Sequence, residues 1–431
     1  MRRGRAVVRA LVGSWILCAA TSFAQSPPVM SLAQAQQVAL QNHPRIVSAA
    51  LTADASRAAV NEARAARYPA LSGNVTGVGA EHNSTLSAGA VTTSSMYSRG
   101  STGVVASQLL TDFGRTTSLE LSAKLRNASQ NQNVTNVRAQ VLLDVKEAYY
   151  AALAADSILI VAQATLNLRR VTLRQVRALA QSSLRSTVDV SFAEVNVSQA
   201  ELDLFRAEND ATANHARLSA AIGYERDQAF SVADEPLPPD LNPNVDSLIA
   251  DALQDRPDLA ALELARDALD RFAEAEKKLR NPTISAAAVA GVAPVRDPRI
   301  QEMYSGAGIN VNIPVLNGGL FKARREEAES RAAAARKDVQ DLAVQIARDV
   351  RIAWLDATDA FRRLDVTARM VAEANEALRL AQARYDNALG SIVELNQAQL
   401  NQTSAKIASA SAKYEYLSRR AALDFAMGAL R

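Results

Sequence analysis

The chain of 431 residues has one cysteine, three histidines, two tryptophans and an aromatic share of only 5%. One thiol cannot form an intramolecular disulfide, so no covalent staple organises the fold. His43, His82 and His215 lie far apart: one beside Pro44, one in a polar stretch and one late in a helix-like segment. There is no HExxH spacing, no glycine loop to cradle a phosphate and no second sulfur, so the sequence offers no metal site, no cofactor site and no catalytic constellation. Carboxylates are plentiful, but they alternate with Lys and Arg along helical segments, the pattern of a solvated face. Long apolar runs are missing as well. Beyond Ala20 no stretch approaches the roughly 18 to 20 apolar residues of a spanning helix, so entry into a membrane would require a β-barrel.

An excess of positive charge also disappears on inspection. Met1 to Arg9 is basic, Ala10 to Ala20 is largely apolar, and Ser22-Phe23-Ala24 presents small residues where a signal peptidase reads them; residues 1–24 are expected to be a secretory signal peptide. They hold Arg2, Arg3, Arg5 and Arg9 and no acidic residue, so losing them removes four positive charges and takes the formal net charge from +3 to −1. The electrostatic case for a nucleic-acid partner goes with them. Cys18 follows the bulky Trp15, Ile16 and Leu17, where lipoprotein processing wants small residues, and reads as an ordinary residue of the signal.

What the chain does have is repetition. Ala39-Leu40-Gln41, Pro44, Leu51, Asp54-Ala55, Pro69 and Ser72 recur as Ala252-Leu253-Gln254, Pro257, Leu264, Asp267-Ala268, Pro282 and Ser285, each pair 213 apart. A second series running from Gly114 through Gln140, Asp144-Val145, Leu184, Ser186 and Asn196 to Gly223 recurs from Gly319 to Gly428, each pair 205 apart. The eight-residue change lies between Gly79 and Leu109, which enclose 29 residues where the second half has 21, Ala293 to Ile313. This predicts a first repeat over 25–223, a connector over 224–243 holding Pro236, Pro238, Pro239 and Pro243, and a second repeat over 244–431.

Proline and glycine then outline each repeat. Arg115 to Ile222 is 108 residues with neither, and Leu320 to Met427 contains only Gly390. Such stretches read as helical hairpins, over about 115–222 and 320–427. In the second, Leu364, Thr367, Val371, Ala374, Leu378, Ala381, Tyr385 and Ala388 alternate spacings of three and four, and the stripe resumes at Ile407, Ala410, Tyr414, Leu417 and Ala421; both arms carry a coiled-coil seam. Turns near Ser182 to Thr187 and Asp386 to Ser391 leave outgoing arms of about 65 residues, or roughly 100 Å at 1.5 Å per residue. Before each hairpin lie short segments without a helical stripe, predicting strand hairpins over about 68–110 and 281–315. In Gly308 to Val315, Ile309, Val311 and Ile313 alternate with Asn310 and Asn312, the pattern of a strand between lipid and water; the other three strands alternate poorly. Tyr68, Tyr97 and Tyr304 fall at strand ends, where interfacial aromatics belong. Ala80 to Gly100, rich in Ser, Thr, Asn and Gly, reads as a solvated loop. Four strands cannot close a membrane barrel, for which about eight is the minimum, so closure would need several copies; two would supply eight strands and three would supply twelve.

The order of these parts, the duplication, the Leu40 to Pro44 and Leu253 to Pro257 openings, the Asn317-Gly318-Gly319 strand exit and the Tyr385 to Glu394 hairpin tip together resemble the TolC-type outer membrane efflux proteins over about residues 31–428. The resemblance implies a mainly helical fold with a small β part. Each chain would supply four strands and two long coiled-coil hairpins to a homotrimer, with a twelve-stranded barrel among outer-membrane lipid and an α-barrel reaching into the periplasm. It implies no cofactor. Its implied partners are a periplasmic adaptor and an inner-membrane efflux pump or ABC transporter, in an efflux or type I secretion system. Family members narrow the tube with acidic side chains just after the helical turns; the matching positions are Asp189 and Glu394, with Phe192 and Gln397 where a second acid is expected one turn later. A family arginine that ties neighbouring hairpins corresponds to Gly390, so Tyr385 with Asp189, and Arg185 in place of the missing charge, are the expected latch. The tips Leu184-Arg185-Ser186 and Leu389-Gly390-Ser391 match the adaptor-docking turns. Pro69, Pro282, Pro314, Gly114 and Gly319 match the strand–helix transitions, where Leu109 departs from the family's proline. Apart from the resemblance, a secreted coiled-coil scaffold without a pore is the competing reading, separated from a channel by whether the strands form a barrel; an enzyme comes a distant third.

Overall fold

The computed structural model describes residues 29–79, 85–88, 91–95, 98–224, 230–238, 241, 243–296 and 301–430. The expected signal peptide, Cys18, His82 and Tyr97 lie outside the described residues.

A two-residue strand, β1 (Val29–Met30), leads into two short helices, α1 (Leu32–Asn42) and α2 (Pro44–Ala65). Ser31 starts α1 through a capping box with Gln34, and Pro44 opens α2 at a position where its missing N–H costs nothing. Four strands follow, β2 (Ala70–Val78), β3 (Thr85–Ala88), β4 (Val91–Ser95) and β5 (Arg99–Thr111), and then the first long hairpin, α3 (Arg115–Gln181) and α4 (Thr187–Ile222). The connector contributes β6 (Ser231–Val232). Afterwards come α5 (Val245–Asp255), α6 (Pro257–Lys277), β7 (Thr283–Val295), β8 (Met303–Asn312) and the second long hairpin, α7 (Leu320–Asp386) and α8 (Ile392–Ala426).

Pro69 and Pro282 stand one residue before β2 and β7, and Pro314 lies just beyond β8. Gly114 and Gly319 cap the long helices with φ of 87° and 84°, a left-handed conformation that a side chain would strain. Each long outgoing helix has 67 residues. Along α7 the less exposed positions include Leu364, Thr367, Val371, Ala374, Leu378, Ala381 and Tyr385, so the stripe of the sequence is the seam of the coil.

One helix departs from expectation. A stretch of 18 residues within α3 is apolar enough to pass for a membrane span by length and composition, although the sequence reading found none. Only 28% of that stretch is buried, and Ile160 on the same helix is 69% exposed. Elsewhere α3 feeds the helical core, where Tyr149, Ala152 and Leu153 cluster with Leu32, Ala39, Leu218, Ile222, Leu417 and Ala421. The Tyr149 hydroxyl donates to the carbonyls of Met30 (3.0 Å) and Ala233 (2.7 Å), fixing the parallel β1–β6 pair against α3.

The main sheet has the order β2-β5-β7-β8, antiparallel throughout. Its register gives the sheet two different faces. Rows of paired residues put Leu71, Ala106, Ala288 and Ala307 on one face with Val75, Val104, Val292, Met303, Ile309 and Val311. The opposite face carries Ser72, Asn74, Ser107, Ser285, Asn310 and Asn312, with Val105, Leu109 and Val289 among them, while Thr102, Gln108 and Ser305 interrupt the first face. Single strands looked poorly alternating because Ala and Gly carry little signal; the contrast emerges only when four strands are aligned.

One further expectation needs correction. The stretch read as a solvated loop contains the small antiparallel pair β3–β4, whose Thr and Val residues favour extended backbone over coil. Tyr304 does stand at a strand end, as the second residue of β8, and its register adds a further role. It shares a row with Asn74, Gly103 and Gly291 on the polar face, and its ring lies over both glycines, filling the space that a Cβ at either would need.

Candidate functional site

Two regions carry the features that a duct requires: the sheet edges and the helical tips. Among the described residues β2 and β8 each have only one partner in the sheet, leaving two open edges at opposite ends of the strand order. Exposed edge strands are templates for pairing, and here both flank an exposed apolar face with Leu71, Val75, Ile309 and Val311.

Below the sheet the strands are locked to the helices by charge. Glu120, 5% exposed, takes Lys124 (2.8 Å), Arg67 (3.0 Å) and Arg64 (3.3 Å), joining the end of α2 to the start of α3. The Lys124 hydrogen bond is the main reason its carboxyl sits below the usual range, against the opposing effect of burial. Asp112 accepts from the Thr116 amide (2.7 Å) and hydroxyl (2.6 Å), and Lys278 reaches the Gly114 carbonyl (3.2 Å), so the β5–α3 corner is held from both repeats.

At the far end the two hairpin turns use the same backbone device. The Leu184 amide returns to the Leu179 carbonyl (2.9 Å) and the Leu389 amide to the Arg384 carbonyl (2.8 Å), with Ser183 and Ala388 each at φ 58°. Ser186 and Ser391 then start α4 and α8 by accepting from the amides of Val188 (3.2 Å) and Glu394 (3.1 Å). Asp189 and Glu394 occupy the first turns that follow, where the helix dipole favours an anion. Leu184 and Leu389 project into solvent at 70% and 73% exposure.

The charges around these matched turns differ. Glu394 pairs with Arg384 of its own hairpin at 3.0 Å. Arg185 crosses from the first hairpin to the second, donating to the Tyr385 carbonyl (2.7 Å), with its guanidinium 4.4 Å from the centre of the Tyr385 ring. The expected Tyr385–Asp189 hydrogen bond does not form: the Tyr385 hydroxyl is buried and has no partner. Burial and then the Asp189 charge push that hydroxyl above its ordinary value, with Arg185 opposing. Around it Val176, Ala193, Ile392 and Leu395 close a small core that joins the two hairpins. A side chain at Gly390 would sit 3.2 Å from Arg384 Cβ, Glu394 Oε2 and the Tyr385 amide, so the tip leaves little room there.

Sequence reasoning missed Arg384, whose role appears only when the turn folds α7 back onto α8. It also missed the buried Arg169 and Gln399. His43 accepts from the Arg45 amide at the start of α2, and the half-buried His215 lies 3.0 Å from Asp156. Among the described residues no cluster of His, Cys, Asp or Glu has the makings of a metal centre.

The chain thus joins an open-edged antiparallel sheet to helices about 100 Å long. The chain belongs to the outer membrane efflux protein family, whose model matches residues 35–224 and 248–429. It is 24% identical over 397 residues to the solvent efflux pump outer membrane protein SrpC of Pseudomonas putida, covering 88% of this chain and 80% of that one. To the outer membrane protein TolC of Escherichia coli (strain K12) it is 22% identical over 440 residues, covering 95% and 84%. Its fold superposes on the crystal structure of a membrane protein from Pseudomonas aeruginosa with a TM-score of 0.80 at 21% identity, covering 92% and 93%. The outer membrane is therefore its location and efflux its class of function. A secreted scaffold without a pore finds no support.

Proposed function

We propose that three copies of the chain form one duct, in which β8 of each copy pairs with β2 of the next to close a twelve-stranded barrel. The observation that carries this reading is the four-stranded sheet with two open edges and one apolar face. Closing copies edge to edge satisfies the unpaired backbone groups and turns the row of Leu71, Val75, Ile309 and Val311 toward lipid. The polar face, with Asn74, Asn310 and Tyr304, then lines the water-filled interior.

The α3–α4 and α7–α8 hairpins continue this wall through the periplasm. Their tips, Leu184-Arg185-Ser186 and Leu389-Gly390-Ser391, meet a periplasmic adaptor, which joins the duct to an inner-membrane efflux pump or ABC transporter. The exposed Leu184 and Leu389 supply apolar anchors on a rim of backbone held by serine caps. Asp189 and Glu394 form rings of like charge at the aperture and favour cations. Conduction is passive: the duct supplies a path, and the transporter supplies the energy.

The mass of the mature protein extracted in detergent from the outer membrane tests this. Three chains per particle, conducting ions when added to a planar bilayer, are expected; a soluble monomer or dimer overturns the duct.

A further inference from the structure

Arg169 is 8% exposed, on α3 about three turns from the tip, and among the described residues no carboxylate is bonded to it. Its Nη1 donates to Gln399 Oε1 and, at 3.4 Å, to Asn396 Oδ1, both on α8. Gln399, fully buried, passes the network on through its Nε2 to Thr172 Oγ1 at 3.0 Å. These acceptors are neutral amides and a hydroxyl. Desolvation lowers the guanidinium's hold on its proton, and no neighbouring charge offsets it. A buried cation is ordinarily matched by an anion, because removal from water is costly and dipoles recover only part of it.

Arg169 also lines a cavity of about 320 Å³ between α3, α4 and α8. Phe192, Val195, Val393 and Leu400 give it apolar walls, and Asn196 and Gln397 add amides. The one acid on its lining, Asp203, accepts from Gln199 (3.0 Å) and pairs with Arg206 (3.6 Å), so its charge is engaged at the rim. Asp189, Phe192 and Asn196 follow one another at spacings of three and four along α4, and Gln397 lies three beyond Glu394 on α8. The cavity therefore opens on the helical faces that carry the aperture carboxylates.

We propose that this cavity binds an amphiphilic organic anion, a carboxylate or sulfonate on an apolar body, with the head group on Arg169 and the body against Phe192, Val195, Val393 and Leu400. The guanidinium supplies N–H groups in a planar fork suited to two anionic oxygens, while the amides offer secondary donors. The aperture then pairs an outer ring that favours cations with an inner pocket that retains anions. That position inside the duct rests on the reading under Proposed function; the pocket itself does not.

Equilibrium dialysis of the detergent-extracted full protein against 1-naphthalenesulfonate tests the site, with 1-naphthalenemethanol as the neutral counterpart. Saturable sulfonate binding is expected, with the alcohol weaker by roughly tenfold or more. Arg169→Met should weaken the sulfonate by a similar factor, and Arg169→Lys should fall between, since it keeps the charge and loses the fork. Val195→Trp, at an exposed position where the fold is not at risk, should fill the pocket and abolish binding with Arg169 intact. Equal affinity for both probes, or sulfonate binding unchanged in Arg169→Met and Val195→Trp, overturns the proposal. Conductance without any probe, measured on the same preparation, judges the duct separately: Arg169-dependent binding in a protein that does not conduct keeps the pocket and removes the duct.

Discussion

The two repeats fold alike and are charged differently. Their outgoing helices are both 67 residues long, and their tips share the left-handed residue, the serine cap and the acid three residues later. Yet Arg185 stands where the second repeat has Gly390, and Arg384 where the first has Leu179, each pair 205 apart. Glu394 is thereby partly neutralised within its own hairpin, whereas Asp189 has no arginine at the matching place. The sheet end shows the same divergence: buried Glu120 corresponds to Arg325, which is exposed and pairs with Glu329 at 3.6 Å. Backbone devices are the conserved currency of the duplication because turns and caps tolerate few alternatives. Charges on half-exposed positions are free to diverge, so equivalent positions need not have equivalent roles.

The largest effect that would sharpen this contrast lies at the sheet end. Glu120→Ala should cost about 2 kcal/mol by stripping three cations of their shared partner, while Arg325→Ala should cost less than about 0.5 kcal/mol, as exposed pairs do. Thermal unfolding of the extracted protein compares them; equal losses would break the distinction. The same carboxylate gives a pH signature. Its folded value lies below the ordinary 4.5, so its contribution is present above that pH and is lost as the pH falls through the folded value. Glu120→Ala should therefore lose the part of the acid sensitivity that wild type owes to this group.

A smaller effect separates the tips. Asp189→Asn should reduce cation preference in bilayer conductance more than Glu394→Gln, by roughly two- to fivefold, the range that ion-pair energies up to about 1 kcal/mol permit. Arg384→Ala should raise cation preference by releasing Glu394. If Glu394→Gln has the larger effect and Arg384→Ala none, the tips are not asymmetric in the way their charges suggest.

Much of this architecture was legible before any coordinates. The long breaker-free stretches, the spacing of three and four from Leu364 to Tyr385, and the doubled Pro44/Pro257 and Gly114/Gly319 signals reflect local physics that sequence states directly. The sheet was legible only in part. Ile309 and Val311 alternate with asparagine on their own strand, but the apolar face of β5 and β7 is built from Ala and Val that acquire meaning only in register with their neighbours. The site was least legible. Asp189, Glu394, Arg185 and Tyr385 could be singled out, but not that Arg185 binds a carbonyl of Tyr385 rather than a charge, nor that Arg384 holds Glu394. Arg169 carried no signal at all, because burial of an arginine within an Arg-rich helix depends on which face the partner hairpin covers.

Closure of the sheet by neighbouring copies is the central claim, and cysteine pairing across the two edges tests it most directly. Within one chain β2 and β8 are separated by β5 and β7, about 14 Å across three strand spacings, which is too far for a disulfide. A panel with one cysteine on β2, at positions 71 to 77, and one on β8, at positions 304 to 311, should therefore yield only bonds between chains on oxidation in the outer membrane. The account predicts, for at least one register, a ladder of dimer and trimer that ends at three chains. Monomers at every register, or a ladder that continues past three, would contradict it.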